Sequence, residues 1–196
     1  MQLFLVRHAH ALEGTDDAAR PLSRRGRKQI RTLARFLKRT GVLETEEIWH
    51  SPLVRAQQTA QALRKQLGGG RKLVEAMGLK PGDNPVRMAR LLGKRRQSVA
   101  LVGHEPHLSA LASLLVAGSA EPPLFVLKKC AVLALARLAQ AARLRVGGKL
   151  PGIPRWPLDG ATGARDDRAG PVDAGRARRP CSRRKCHIWS VAAQCG

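Results

Sequence analysis

Three short segments of this chain share one layout, and it constrains the fold more than any other feature. Residues 3–6 (Leu-Phe-Leu-Val) run into Arg7-His8. Residues 48–50 (Ile-Trp-His) run into Ser51-Pro52-Leu53-Val54-Arg55, and residues 99–102 (Val-Ala-Leu-Val) into Gly103-His104. Each begins as a short apolar run, the pattern of a strand buried in a sheet, and ends in a turn carrying Arg or His. In open α/β sheets ligands bind just beyond the carboxyl ends of the strands. Three such strands would deliver Arg7, Arg55, His8 and His104 to one rim.

Helical patterns alternate with these strands. Ser23 is placed to cap a helix over 24–39, in which Ile30, Leu33, Ala34 and Leu37 form an apolar stripe at i, i+3, i+4 and i+7, and Gly41 supplies a stop. Ser51 is a candidate N-cap with Pro52 at the first helical position, so that Ala56, Ala60, Leu63 and Leu67 line a second helix and Arg55 lies in its first turn. A further strand is expected at 73–75, a short basic helix near 86–92, and a helix from Pro106 carrying Leu108, Leu111, Ala112 and Leu115. Residues 124–127 and 130–136 read as edge strands. This alternation gives an α/β three-layer sandwich with a mostly parallel central sheet.

With 196 residues, the chain suits one domain plus an appended segment. Hydrophobic residues make up 43% and aromatics only 3%, so the core must be aliphatic. No apolar run approaches the roughly 20 residues of a membrane helix, and the first strand is too short for a signal peptide; a cytoplasmic location is expected, without membrane association. The net charge of +22 raises nucleic acid as a partner. Its distribution disfavours that reading: Lys and Arg number 24 against ten acids in residues 1–139, and 12 against four in 140–196, with no single stripe. The scarcity of aromatics also removes stacking platforms for single strands. A solvated basic surface that attracts anionic substrates fits better.

From about residue 140 the apolar periodicity dissolves into Arg, Gly, Pro and Ala. Residues 140–196 read as a basic, disordered tail; a shifted reading frame in a GC-rich gene would give the same composition. Cys181, Cys186 and Cys195, with His187, lack paired CxxC spacing, so no metal site is expected there. Cys130 alone lies in the patterned region.

Phosphoryl transfer is largely positioning and electrostatic stabilisation of charge on the equatorial oxygens. Arg7 and Arg55 supply forked, permanently charged donors. A helix N-terminus beside Arg55 adds free N–H groups, although Arg55 could instead simply pair with a nearby carboxylate. His104, if protonated, would add a third cation. His8 needs a neutral ring with one nitrogen held by a backbone carbonyl, leaving the other to attack in line. No metal or other cofactor is expected, since no P-loop or acidic metal cluster is present. His10, His50 and His107 are read as structural, with His107 the first exception to consider.

Leu5-Val6-Arg7-His8-Ala9, Ser51-Pro52-Leu53-Val54-Arg55-Ala56-Gln57-Gln58-Thr59 and Val102-Gly103-His104 together resemble the signature segments of the histidine phosphatase superfamily, the phosphoglycerate-mutase-like fold. The compact size, with Arg20-Pro21-Leu22-Ser23 and Gly26, resembles its short SixA-type phosphohistidine phosphatases. The similarity covers roughly residues 1–137, making 1–139 the catalytic domain. It implies a phosphatase acting on phosphohistidine of a phosphorylated protein, with His8 as nucleophile, Arg7, Arg55 and His104 as the phosphate pocket, and Arg20 guiding substrate. Glu75 stands about where larger relatives carry a general acid. The superfamily usually has Gly after the nucleophile, where this chain has Ala9, a residue that short members often carry. Hydrolysis of a small phosphate ester or nucleotide, and non-catalytic binding of a phosphate or polyanion, are the alternative readings.

Overall fold

The computed structural model describes residues 1–137 and 189–195, all within one compact unit. The elements in chain order are β1 (Gln2–Arg7), α1 (Arg24–Thr40), β2 (Glu47–His50), α2 (Val54–Leu67), β3 (Lys72–Glu75), α3 (Pro85–Lys94), β4 (Val99–Gly103), α4 (His107–Ala117), β5 (Val132–Arg137) and β6 (Trp189–Cys195). They form a six-stranded sheet in the order β3-β2-β4-β1-β5-β6. The pairs β3–β2, β2–β4 and β4–β1 are parallel, while β5 runs antiparallel to both β1 and β6.

Continuous apolar strands are explained by helices on both faces. Successive side chains of a strand point to opposite faces. Phe4, Val6, Ile48, Ala100 and Val102 accordingly pack on one side with Ile30, Leu33 and Leu37 of α1 and Ala56, Ala60 and Leu63 of α2. Leu3, Leu5, Val99, Leu101, Leu133 and Leu135 face the other way, onto Met88 and Leu92 of α3 and Leu108, Leu111 and Ala112 of α4. The mixed α/β sandwich read from the sequence is the observed fold.

Three local readings are corrected. Helix α2 begins at Val54 with Leu53 as its N-cap, not at Ser51-Pro52. The Ser51 N–H donates instead to Val102 O at 3.0 Å, prolonging the β2–β4 ladder past His50 and delaying the turn into helix. Residues 124–127 form no strand; they belong to the link between α4 and β5. The region read as a second edge strand is β5, which is interior because β6 covers its outer side. That sixth strand, Trp189–Cys195, lies within the stretch read as a disordered tail. Residues 138–188, including Cys181, Cys186 and His187, lie outside the described residues.

Candidate active site

Strand register brings the two histidines together. Arg7 of β1 is opposite Gly103 of β4, and the His8 N–H continues that ladder to Gly103 O at 3.0 Å. One residue beyond each strand, the imidazoles of His8 and His104 lie with ring centroids 4.9 Å apart and planes tilted by 49°. On the other side of β1, the Cys130 N–H is shared between Arg7 O (3.1 Å) and His8 O (3.2 Å). To reach both, Cys130 adopts a left-handed backbone with φ of 64°, rare for a side-chain-bearing residue.

His8 is 8% exposed, with Nδ1 at 2.7 Å from Ala9 O. A carbonyl only accepts, so Nδ1 carries the proton and donates it, leaving the Nε2 lone pair free. Burial is the largest influence on this ring and lowers its pKa to about 4, with further lowering by Arg55, Arg7 and Lys129. His104, 1% exposed, is lowered to about 3, first by burial and then by His8 and Arg55. Both its ring nitrogens are buried without a hydrogen-bond partner among the described residues. In this state His104 is therefore a neutral imidazole with one N–H to offer, not the third cation that a protonated ring would be. An arriving phosphoryl dianion would act in the opposite direction, favouring the charged form.

The two arginines approach from different elements. The Arg7 Nη1 donates to Leu127 O at 2.7 Å, while its Nε is buried without a partner among the described residues. Arg55 lies in the first turn of α2 and is 4% exposed. Its Nη1 donates to Asp17 O at 2.5 Å and its Nη2 pairs with Asp17 Oδ2 at 2.9 Å. Arg55 stands at a helix start near His8 and is anchored there by a carboxylate. Asp17 also pairs with Arg20 at 2.9 Å, and hydrogen bonds from Arg20 and then Arg55 hold its carboxyl below the usual range. Arg20 Nε donates to Leu12 O at 2.8 Å. Arg20 is thus joined to the site through Asp17.

Thr59 ties α2 to the segment that follows His8. Its Oγ1 accepts from the Ala9 N–H at 3.1 Å and donates to Arg55 O at 2.6 Å. Of the remaining histidines, His10 Nδ1 is 2.9 Å from Ser23 Oγ, and buried His50 donates from Nδ1 to Ser51 O at 3.0 Å. His107 is buried with both ring nitrogens unpartnered among the described residues.

Glu75 ends the edge strand β3, opposite His50. Strands β2 and β4 stand between it and β1, about 14 Å across the backbone at the usual strand spacing. The leading charge influences on His8 and His104 come from Arg55, Arg7, Lys129 and Asp17. A different carboxyl lies nearer. Glu105 follows His104 directly, with Oε1 buried and without a hydrogen-bond partner among the described residues. Burial raises its pKa, opposed by Ser109, Arg7 and the Leu127 backbone N–H. Sequence reasoning passed over Glu105 and Asp17, although adjacency to His104 marked the first and acidity within the loop after β1 the second.

A sandwich of this topology, with histidines and arginines gathered at the carboxyl ends of its parallel strands, defines the phosphoglycerate-mutase-like class. The comparisons narrow it. Residues 3–80 match the model of the histidine phosphatase superfamily, branch 1. The chain is 32% identical over 130 residues to the phosphohistidine phosphatase SixA of Escherichia coli strain K12, covering 64% of this chain and 80% of that protein. It is also 32% identical over 168 residues to an uncharacterized protein of Picosynechococcus sp., covering 81% and 99% respectively. A solved structure of the protein histidine phosphatase SixA complexed with tungstate superposes with a TM-score of 0.63 at 27% identity, over 70% of this chain and 88% of that one. The chain belongs to the histidine phosphatase superfamily and is SixA-like within it.

Proposed function

We propose that this protein is a metal-independent phosphatase that hydrolyses phosphohistidine on a protein through a covalent phosphohistidine at His8. In the first step the Nε2 lone pair of His8 attacks phosphorus. The P–N bond to the substrate imidazole breaks, its electron pair stays on that nitrogen, and the nitrogen takes up a proton from solvent. Water then attacks phosphorus, the P–Nε2 bond breaks, and phosphate and neutral His8 are released. Arg7 and Arg55 hold the equatorial oxygens, and His104 donates one N–H.

The observation that carries this reading is the bond from His8 Nδ1–H to Ala9 O at 2.7 Å in a ring that burial keeps neutral. It fixes the tautomer that a nucleophile requires. The phosphohistidine substrate is supported by the name of the Escherichia coli relative and by chemistry: a nitrogen leaving group departs protonated and needs little acid. Hydrolysis of a small phosphate ester is the second reading. It is favoured by Glu105, whose carboxyl burial holds toward the protonated form beside Arg7, as a proton donor to an alkoxide would need; Glu75 is the more distant candidate for that role.

The test is phosphate release from a phosphohistidine-bearing protein in the presence of a chelator, comparing the wild type with His8→Ala. Release by the wild type and a loss of roughly a thousandfold or more in the variant supports the nucleophile, and acid-labile phosphate trapped on the wild type identifies the intermediate. Release only from small esters selects the second reading. Phosphate binding that survives in His8→Ala, without turnover of any substrate, selects a non-catalytic binding module.

A further inference from the structure

Two grooves on the described surface differ sharply in charge. One, at the amino ends of β2 and β4, is lined by Glu44, Glu46 and Glu47 together with Arg95 and Arg96, so its charges offset one another. The other, of about 380 Å³, lies between α1 and α2, where Arg27, Arg31 and Lys65 stand beside the amides of Gln58, Gln61 and Gln66. No acid lines it. The lack of compensation extends to the helices themselves. Helix α1 carries eight Arg and Lys residues, all exposed, and α2 carries Arg55, Arg64 and Lys65, with no Asp or Glu on either.

This groove begins beside the active site. Gln58 is one turn along α2 from Arg55, and its Oε1 accepts from the Leu22 N–H at 2.8 Å. Gln29 of α1 accepts from the His10 N–H at 3.0 Å, two residues past His8. From Gln58 to Gln66 the groove follows α2 away from the rim for roughly 12 Å at the helical rise. Its lining includes Leu22, Ile30 and Ala62 and no aromatic side chain, a mixture suited to carboxylates on a peptide rather than to stacked bases.

We propose that the α1–α2 groove docks an acidic segment of the phosphorylated protein substrate, lying next to the phosphorylated side chain. This rests on the phosphoprotein reading above and adds how the partner is chosen. Uncompensated cations along a groove that starts near the rim steer an acidic partner and fix its register, while the site itself reads only the phosphoryl group. The groove cations touch nothing in the catalytic machinery, so they act on protein substrates alone.

The experiment uses the full chain and its triple variant Arg27→Glu/Arg31→Glu/Lys65→Glu. Turnover is measured on a phosphohistidine protein with an acidic face beside the modified residue, and on free phosphohistidine. Raising KM for the protein at least tenfold, with kcat and small-substrate turnover unchanged, is the expected result, and the gap should close as added salt weakens the wild type. Unchanged KM for the protein overturns the proposal. The neutral variant Arg31→Gln/Lys65→Gln guards against misfolding, and should show the same split at smaller size; an equal loss on both substrates by this folded variant also overturns it. Direct binding of a Glu-rich helical peptide separates the two readings. Peptide binding lost in the variant, in a wild type that hydrolyses no phosphohistidine, removes the proposed reaction and keeps the acidic docking face. Tighter binding of duplex DNA or RNA than of the peptide at this groove overturns the acidic protein as its occupant.

Discussion

At the scale of single residues, the site is built around two imidazoles that the fold keeps uncharged. His8 titrates near 4 and His104 near 3 in the folded protein, against about 6.5 for an unperturbed histidine. Between those values the unfolded chain binds more protons than the native one, so stability rises with pH from roughly 3 to 6.5 and is fully present above that. Thermal melting followed across this range should show Tm falling as pH falls through it, and His8→Ala/His104→Ala should flatten the slope. The same argument predicts that the acid limb of kcat/KM, which reports the free enzyme, lies near pH 4 and not near 6.5. For Glu105→Gln, the expected outcome is little change in kcat on phosphohistidine and a loss of roughly tenfold to a hundredfold on an alkyl phosphate ester, read by steady-state kinetics on both. The placement of Arg7, His8 and His104 on one rim was legible in the sequence because strand ends fix it: Arg7-His8 and Gly103-His104 each follow a buried apolar run. Asp17 and Glu105 carried only weak signals, acidity in the loop after β1 and adjacency to His104, since their side-chain contacts join loops and helices that no periodicity encodes.

At the scale of elements, two small junctions hold the site to its helices. Ser23 caps α1 by accepting from the Gly26 N–H at 3.1 Å, and its hydroxyl reaches back to His10 O at 3.2 Å. The close approach explains Gly26, where a Cβ would stand 2.1 Å from His10 O. Gly26→Ala must push α1 away from the segment after His8, at a cost of about 3 kcal/mol or more, measurable by denaturant unfolding together with reduced kcat. Thr59→Val removes the acceptor for the buried Ala9 N–H and is expected to cost about 1–3 kcal/mol, with a loss of activity exceeding the loss of folded protein. Helix α1 was readable from its 3.6-residue stripe and Ser23 cap. The start of α2 was not: Ser51 and Pro52 have the composition of a helix start, yet tertiary pairing of Ser51 with Val102 O outweighs that local preference. Residues 124–127 are apolar enough for a strand, but the Leu127 carbonyl is taken by Arg7.

At the scale of the whole molecule, the sheet is parallel where it carries chemistry and antiparallel where it closes. The β1–β4–β2 ladder sets Arg7, His8, Ser51 and His104 on one rim, and β5 and β6 extend the other side of β1. Composition beyond residue 140 suggests that the chain could be cut near 139 without changing the melting transition. Pairing of β6 along β5 changes that expectation: ending the chain after Arg137 strips a strand from the sheet and leaves the backbone groups of β5 as an open edge. The shortened protein should melt at lower temperature and self-associate, as seen by calorimetry and light scattering. Fold class was legible because strand–helix alternation survives any local error. The sixth strand was not, because an edge strand needs little apolar periodicity when its partner supplies the register.

The backbone around His8 is gripped from both flanks, by Gly103 O on the β4 side and by the shared Cys130 N–H on the β5 side. Amide hydrogens there should exchange with solvent as slowly as those of the central strands, despite lying at the mouth of the site. Under the proposed reaction, the His8 ring is held by its flanking backbone and by the Ala9 carbonyl before any substrate arrives. Each phosphoryl group must travel to one fixed point in space. Substrates are then sorted by which molecules can reach that point, not by how the protein reshapes itself around them.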